Sequence, residues 1–561
     1  MDINDIPKLS LEVTKRNLAL CDNDNDLDAL SSYDTLFDIN KLPNLTGERE
    51  AADLLSKVMD DHGFILAVSD YDSDGLNSAA VVYKALKSKY DNYKVIHNKR
   101  CHHNGFNPVL IDKIKKIHDE KPIDLMYTMD HGSNDKEAFE ELKNYGIKHI
   151  IVTDHHMITK GKEATNADVF INAQQFDNDP KHMCGCYVTF KVMSSLYKDD
   201  PDIYNNFYRP CLPHVAIATV SDVMSLNIWY NRVAVRAGLQ LMNIDQGLWK
   251  LLGIKLGLPA VYRYKDIGYS IAPFINTGNR SSTEELCYEI LVTEDIPKLS
   301  YLIDQGIKNN IRRKEIKKHS LAKVMDGINV TKVGKSLSII MECSMSINGI
   351  VANAVGESFR VPTTCFVLDK ENKTLSGSSR AVLSHVSIAD TYNKMKELDS
   401  NLFHACGGHK GAGGCCIDFD KFDRFQELFE KVISELPVPD KDDVKDIVID
   451  YNTKYLDYSV IEDIDFAGPY GKDWIMPKLR GMFKVDRVIH TKALAIFTLR
   501  GLNGKLFKAT YFYPSNETIL SLDDLVPTGA VVDVIFEPQY YKRYNATNFT
   551  LLIDTIQEVT T

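Results

Sequence analysis

Residues 67–78, AVSDYDSDGLNS, place Asp70, Asp72 and Asp74 within five positions, directly after an apolar run. Like charges this close repel one another, so such a run is either solvated in a surface turn or gathered around a cation. Further along, MDHGS carries Asp130, TDHH carries Asp154, His155 and His156, and SDVMSL carries Asp222. Carboxylate oxygens mixed with imidazole nitrogens suit Mn²⁺ or Mg²⁺ rather than a soft-ligand metal. There are enough carboxylates for two ions that share a bridging group. Two such ions about 3.5–4 Å apart can activate a water and stabilise both oxygens of a phosphoryl displacement. Taken singly, each aspartate reads as a turn former or helix cap. The metal reading rests on the set.

The set needs elements that bring it together. FILAV (64–68), DLMYTM (124–129), KHIIVT (148–153) and ADVFIN (167–172) read as buried strands, separated by helical patterns such as LNSAAVVYKALKSKY (76–90) and NDKEAFEELKNYG (134–146). Continuous apolar strands between amphipathic helices predict a parallel, helix-covered sheet of the α/β class. In such sheets the loops beyond the carboxyl ends of the strands gather on one edge, where ligands bind. Three of these strands end in the acidic clusters.

Beyond residue 186 the pattern is mainly helical to about 260, and KNNIRRKEIKKHSLAKVM (308–325) is a basic helical stretch suited to connect two lobes. Its charge reads equally as a solvated face or as the wall of a nucleic-acid channel. A second set of strand and helix patterns opens at SLSIIMEC (336–343) and includes the glycine-rich CGGHKGAGGCC (406–416). Glycines there could let backbone N–H groups cradle a phosphate; a plain turn is the alternative. Proline and charge in ELPVPDKDD (435–443) mark a linker, and the short strands after it predict a small β-barrel or sandwich. Within it, EPQYYKRYNATNF (537–549) interleaves aromatic and basic residues as base-stacking surfaces do, or as barrel packing does. The resulting division is an N-terminal segment (1–45), a catalytic domain with a helical insert (46–305), a connecting helix (306–330), a second α/β lobe (331–435) and a barrel (440–561).

Bulk properties set limits. A chain of 561 residues is too long for one core. Its net charge of −11 argues against coating nucleic acid non-specifically but leaves room for a local basic groove. Eleven cysteines without a CxxC pair read as buried free thiols in a reducing compartment. No apolar run reaches the roughly 18 residues of a membrane span, and the acidic start MDINDIPKLS is unlike a secretory signal. A cytoplasmic protein is the expectation.

These motifs resemble those of the DHH phosphoesterase superfamily: SDYDSDG its first, MDHGS its second, TDHH its naming motif and SDVMSL its fourth. GSSR (377–380) and GGHKGAGG (407–414) resemble its associated second lobe. NKRCHHNGF (98–106), APFINTGNR (272–280) and FAGPYGKDWIMP (466–477) are similar to segments of one branch, the RecJ single-strand exonucleases, the last opening an oligonucleotide-binding (OB-like) barrel. The resemblance implies a two-lobed core, a C-terminal barrel, and two Mn²⁺ or Mg²⁺ ions held by Asp70, Asp72, Asp74, Asp130, His155 and Asp222. It places His156 at the scissile phosphate, with Asp154 orienting the histidines, and Asp130 bridging the ions. Arg100, Asn276, Arg280, Ser378, Arg380, Gly408 and His409 would contact the strand. The implied activity is 5′→3′ degradation of single-stranded DNA to 5′-mononucleotides in recombination, repair or replication. The implied setting is a monomer in a bacterial cell, or a phage protein in its host, with a single-strand-binding protein or helicase as further partners and no membrane. Two rivals stand beside it: a phosphodiesterase of short oligonucleotides or cyclic dinucleotides, and a non-catalytic replication scaffold. The sequence departs from the pattern at Val68, where many members place a histidine ligand, and at INAQQ (171–175) and GNR (278–280).

Overall fold

The computed structural model describes residues 7–20, 42–99, 105–159, 161–176, 180–277, 284–327, 334–341, 347–383, 385–408, 410–437, 446–491, 494–513, 526–543 and 546–559. The first sheet holds β1 (Ile65–Ser69), β2 (Tyr93–His97), β3 (Leu125–Met129), β4 (His149–Asp154) and β5 (Val169–Asn172). All are parallel, in the order β2-β1-β3-β4-β5. Alternate side chains serve two apolar layers. Ile65, Ala67, Tyr127 and Ile151 pack with helix Ser73–Leu86, while Leu66, Val68, Met126 and Val152 pack with helices Pro108–Glu120 and Lys136–Tyr145. Both faces are covered, which is why β1 and β3 are buried throughout and mostly apolar. The apolar runs do not reveal β2, because it is an edge strand whose first three residues are partly or fully exposed.

The helical insert ends in helix Ile296–Gly327, whose 32 residues span about 48 Å at 1.5 Å per residue. It starts ten residues before the boundary read from its basic stretch. Its first turns carry the apolar Leu299, Leu302 and Ile303, which are buried in the core of the first lobe, so charge alone marks the helix too late. The second lobe is a mixed sheet of β6 (Leu337–Ile340), β7 (Thr363–Asp369), β8 (Thr374–Arg380), β9 (Ala405–Gly408) and β10 (Ala412–Asp418), ordered β6-β7-β8-β10-β9.

After β11 (Val448–Asp450), strands β12 (Lys478–His490), β13 (Leu494–Arg500), β14 (Leu506–Phe512), β15 (Val531–Arg543) and β16 (Ala546–Glu558) run β12-β13-β14-β16-β15. β15 pairs back onto β12, so the barrel closes. Closure leaves no open edge among these five strands. Helix Lys8–Ala19 belongs to this end of the molecule: it buries Val13 in the barrel core, and Asn17 exchanges hydrogen bonds with Ile475 N–H (2.6 Å) and Ile475 O (3.0 Å). The segment before β12 is also the seam to the first lobe. The buried Arg232 guanidinium lies 3.8 Å from the Trp474 ring centroid, and Leu226 N–H donates to Lys472 O at 2.7 Å. Among the described residues no helix is long and apolar enough to cross a membrane.

Candidate metal centre

The acidic clusters meet at the carboxyl edge of the first sheet because β1, β3 and β4 are adjacent and parallel. Asp72 caps helix Ser73–Leu86, accepting from the N–H groups of Asp74 (3.0 Å) and Gly75 (3.2 Å). Asp130 follows β3 with φ +64°, a left-handed backbone that turns the chain sharply at the ligand itself. Asp222 ends helix Arg209–Ser221.

His155 lies at the centre. Its Nε2 is 3.2 Å from Asp130 Oδ1, 3.2 Å from Asp222 Oδ2 and 3.5 Å from Asp74 Oδ2. Three groups of donor atoms lie within 4.8 Å of one another: Asp130, His155 and His156; Asp74, His155 and Asp222; Asp70, Asp72 and Asp130. Asp130 and His155 each belong to two of them. Among the described residues, buried His155 Nε2 and Asp130 Oδ1 lie near opposite charges but make no hydrogen bond of good geometry. Buried polar atoms without partners are rare in native proteins, and a hard divalent cation would satisfy both.

The electrostatics agree. Burial, reinforced by neighbouring carboxylates, raises Asp70, Asp72 and Asp130 and pushes Asp74 up to about 7. Burial opposes a charge on His155, yet Asp222 and Asp74 push it up to about 9. Without a cation, protons take the place of the ions. The donor set therefore fits Mn²⁺ or Mg²⁺.

Asp154 does not join these groups. Its Oδ1 accepts from the N–H of His155 (2.7 Å) and lies 2.8 Å from His156 Nδ1, while Oδ2 accepts from Ser133 N–H (3.0 Å). Burial would raise Asp154, but the His156 charge beside it holds it well below the usual carboxylate range, and His156 in turn is pushed up to about 10. Asp154 is a brace for the two histidines.

Two supports carry roles that the sequence does not mark, and a third, Asn276, was expected only to contact the strand. In the CGC triplet the significant residue is Gly185: its N–H donates to Asp74 Oδ2 and that of Cys186 to Asp74 Oδ1, both at 2.7 Å. The flanking thiols are pushed well up by burial and stay protonated, so they are not competing ligands. Asn172, at the end of β5, donates to Ser133 Oγ (2.6 Å) and His156 O (2.8 Å), steadying the histidine loop. Asn276 Oδ1 accepts from Ser73 N–H at 2.8 Å, directly behind Asp72. Of the first two, only Asn172 had a signal, its place just after a strand. Val68, by contrast, is a fully buried core residue whose carbonyl lies 3.1 Å from His131 Nε2.

On the second lobe, Arg380 Nη1 donates to Ser378 Oγ at 2.9 Å and to Ser379 O at 2.8 Å. Ser378 pairs with Gly414 and Ser379 with Gly413, which pairs onward with Gly408, so GSSR and the glycine run are neighbours across β8, β10 and β9. A Cβ on Gly408 would lie 2.3 Å from Ala412 O. Arg100, His102, His103, Arg280 and His409 lie outside the described residues, as do the side chains of 540–548.

Residues 64–219 match the DHH family, N-terminal domain. Among curated proteins, the single-stranded-DNA-specific exonuclease RecJ of Salmonella typhimurium is 25% identical over 465 residues, covering 79% of this chain and 78% of its own. The Escherichia coli protein of the same name is 24% identical over 466 residues, with the same coverage. Among solved structures, RecJ of Thermus thermophilus in complex with Mn²⁺ superposes with a TM-score of 0.75 at 20% identity, covering 99% of this chain and 79% of that one. The fold is thereby that of a two-lobed α/β core with a C-terminal barrel.

Proposed function

Because this chain is RecJ-like and carries a DHH-family domain, we propose that it is a metal-dependent exonuclease that degrades single-stranded DNA from the 5′ end to 5′-mononucleotides, in recombination, repair or replication. The observation that carries this reading is the overlap of three donor groups at Asp130 and His155. Asp70, Asp72, Asp74, Asp130, His155 and Asp222 would hold two Mn²⁺ or Mg²⁺ ions, the metals named for the Thermus structures. Such ions, when bound, polarise the phosphate and supply a hydroxide at neutral pH.

The chain's own groups do the rest. His156, held by Asp154 and half-exposed, presents a cationic imidazole toward the scissile phosphate, where negative charge develops. Ser378 and Arg380, with Arg100, Asn276, Arg280, Gly408 and His409, grip phosphates of the strand; a guanidinium suits this because its fork can meet two oxygens. The closed barrel favours long strands over a dinucleotide. A single-strand-binding protein or helicase would deliver the substrate.

The test is digestion of long single strands labelled at either end in turn, with Mn²⁺ or EDTA. Release of labelled mononucleotide first from the 5′ end, and only with metal, is expected. Faster hydrolysis of a dinucleotide than of a long strand would favour the short-substrate phosphodiesterase instead. Metal-dependent cleavage undiminished in Asp130→Ala would leave the chain a scaffold and the activity a contaminant.

A further inference from the structure

Away from the metal centre, a cavity of about 400 Å³ opens between the end of helix Ser73–Leu86, helices Arg209–Ser221 and Leu248–Leu256, and the start of helix Ile296–Gly327. Its size falls in the range of about 300–1,000 Å³ usual for small-ligand sites. Its walls include Leu248, Leu291 and the indole of Trp249, with Lys84, Arg209 and His214 as polar groups.

The polar groups divide by whether they have partners. Both acids on the lining are engaged: Asp245 accepts from the N–H groups of Gly247 (3.1 Å) and Trp249 (2.8 Å), and Glu294 pairs with Lys87. Among the described residues neither Lys84 nor Arg209 makes a hydrogen bond or ion pair. Burial pulls Lys84 below the usual ammonium range, and the nearby charges of Glu294 and Asp245 offset this only in part. His214 lies with Nδ1 2.9 Å from Asn77 Oδ1, while Asn77 Nδ2 donates to Ser73 O at 2.7 Å. With Nδ1–H given to Asn77, the neutral imidazole keeps Nε2 as an acceptor. The cavity thus offers two cations, one acceptor and apolar walls beside the two engaged acids.

We propose that this cavity is a second binding site, taking a nucleoside monophosphate with its phosphate against Lys84 and Arg209 and its base between the apolar wall and His214. A bare anion would leave the apolar wall and the acceptor unused. An apolar ligand would leave the cations unpaired. The ligand class gains from the proposed exonuclease reaction, whose product is of this kind; the site itself does not depend on it. His214, Asn77 and Ser73 join the cavity to the residue that follows Asp72, so its occupancy adjoins the metal loop.

The experiment is calorimetric titration of the full chain in EDTA with deoxyadenosine monophosphate and, separately, inorganic phosphate. EDTA removes the divalent ions that would otherwise recruit a phosphate to the nuclease centre. We expect one binding event that weakens roughly tenfold or more in Lys84→Met, as loss of a charge-assisted contact predicts. Thr293→Trp, which fills the cavity from a loop, should abolish it with an unchanged melting temperature, and Arg380→Ala should leave it intact. Absence of binding, equal binding of inorganic phosphate, binding indifferent to both cavity variants, or binding lost only in Arg380→Ala would each overturn the proposal. Intact cavity binding in a chain that cuts no DNA would instead sink the exonuclease reading alone.

Discussion

A Cβ on Gly185 would lie 2.4 Å from Asp130 Oδ1 and 2.7 Å from Asp130 Cβ, so these two residues touch at a distance that only glycine permits. The same glycine donates its N–H to Asp74, placing the N-terminus of helix Gly185–Ser195 on one ligand and its bare Cα against another. Gly185→Ala must displace Asp130 or tilt the helix. We expect metal affinity and activity to fall about 10–100-fold, the usual effect of disturbing support around a metal site, with the fold kept by circular dichroism. Wild-type Mn²⁺ affinity in this variant would show the contact to be slack.

Metal loading should release protons. In the metal-free protein Asp74 titrates near 7 and His155 near 9, both above their unfolded values of about 3.9 and 6.5. A raised folded pKa stabilises fully below the unfolded value and is lost as pH rises through the folded one. Metal-free protein should therefore lose stability from about pH 4 to 7 through Asp74, and from about 6.5 to 9 through His155. The Mn²⁺-induced gain in melting temperature should widen over the upper window, with proton release seen as a buffer-dependent heat of binding. Asp222→Asn, which removes the main carboxylate holding the His155 proton, should reduce that release. A buffer-independent heat would count against this picture.

Asn172 ties Ser133 to the backbone of His156. Asn172→Ala should lower kcat about 10–100-fold while KM for single strands changes little, since strand-gripping groups lie elsewhere. A rise in KM with unchanged kcat would assign Asn172 to substrate binding.

Acid should destabilise the chain through three buried neutral histidines. Burial pushes His97 down to about 3, His131 to about 4 and His214 well below its usual value. A lowered folded pKa means that the unfolded chain takes up protons first, so stability present above about 6.5 falls as pH drops below it. Urea unfolding at pH 7.5 and 5.5 should show this loss, and it should be shallower in His97→Gln, which cannot titrate. Equal losses in the two proteins would mean that His97 is not the group responsible.

What could be read from the chain was local. Apolar runs define β1, β3 and β4, and strand direction then sends the aspartates that follow each of them to one edge, so the candidate ligands are legible without coordinates. Residues that depend on a neighbour distant in sequence were not. Edge strand β2 lacks an apolar run because one of its sides has no strand beside it.

The charge pattern, the strand endings and the motif order were determined by the sequence alone, because each follows from side-chain chemistry at fixed spacing along one strand or helix. Tertiary structure alone decided that Gly185 supports Asp74 from 111 residues away, and that Asn17 docks on Ile475 from 458 away. Backbone N–H groups and bare Cα atoms carry no side-chain signature. Their partners are chosen only when the chain packs.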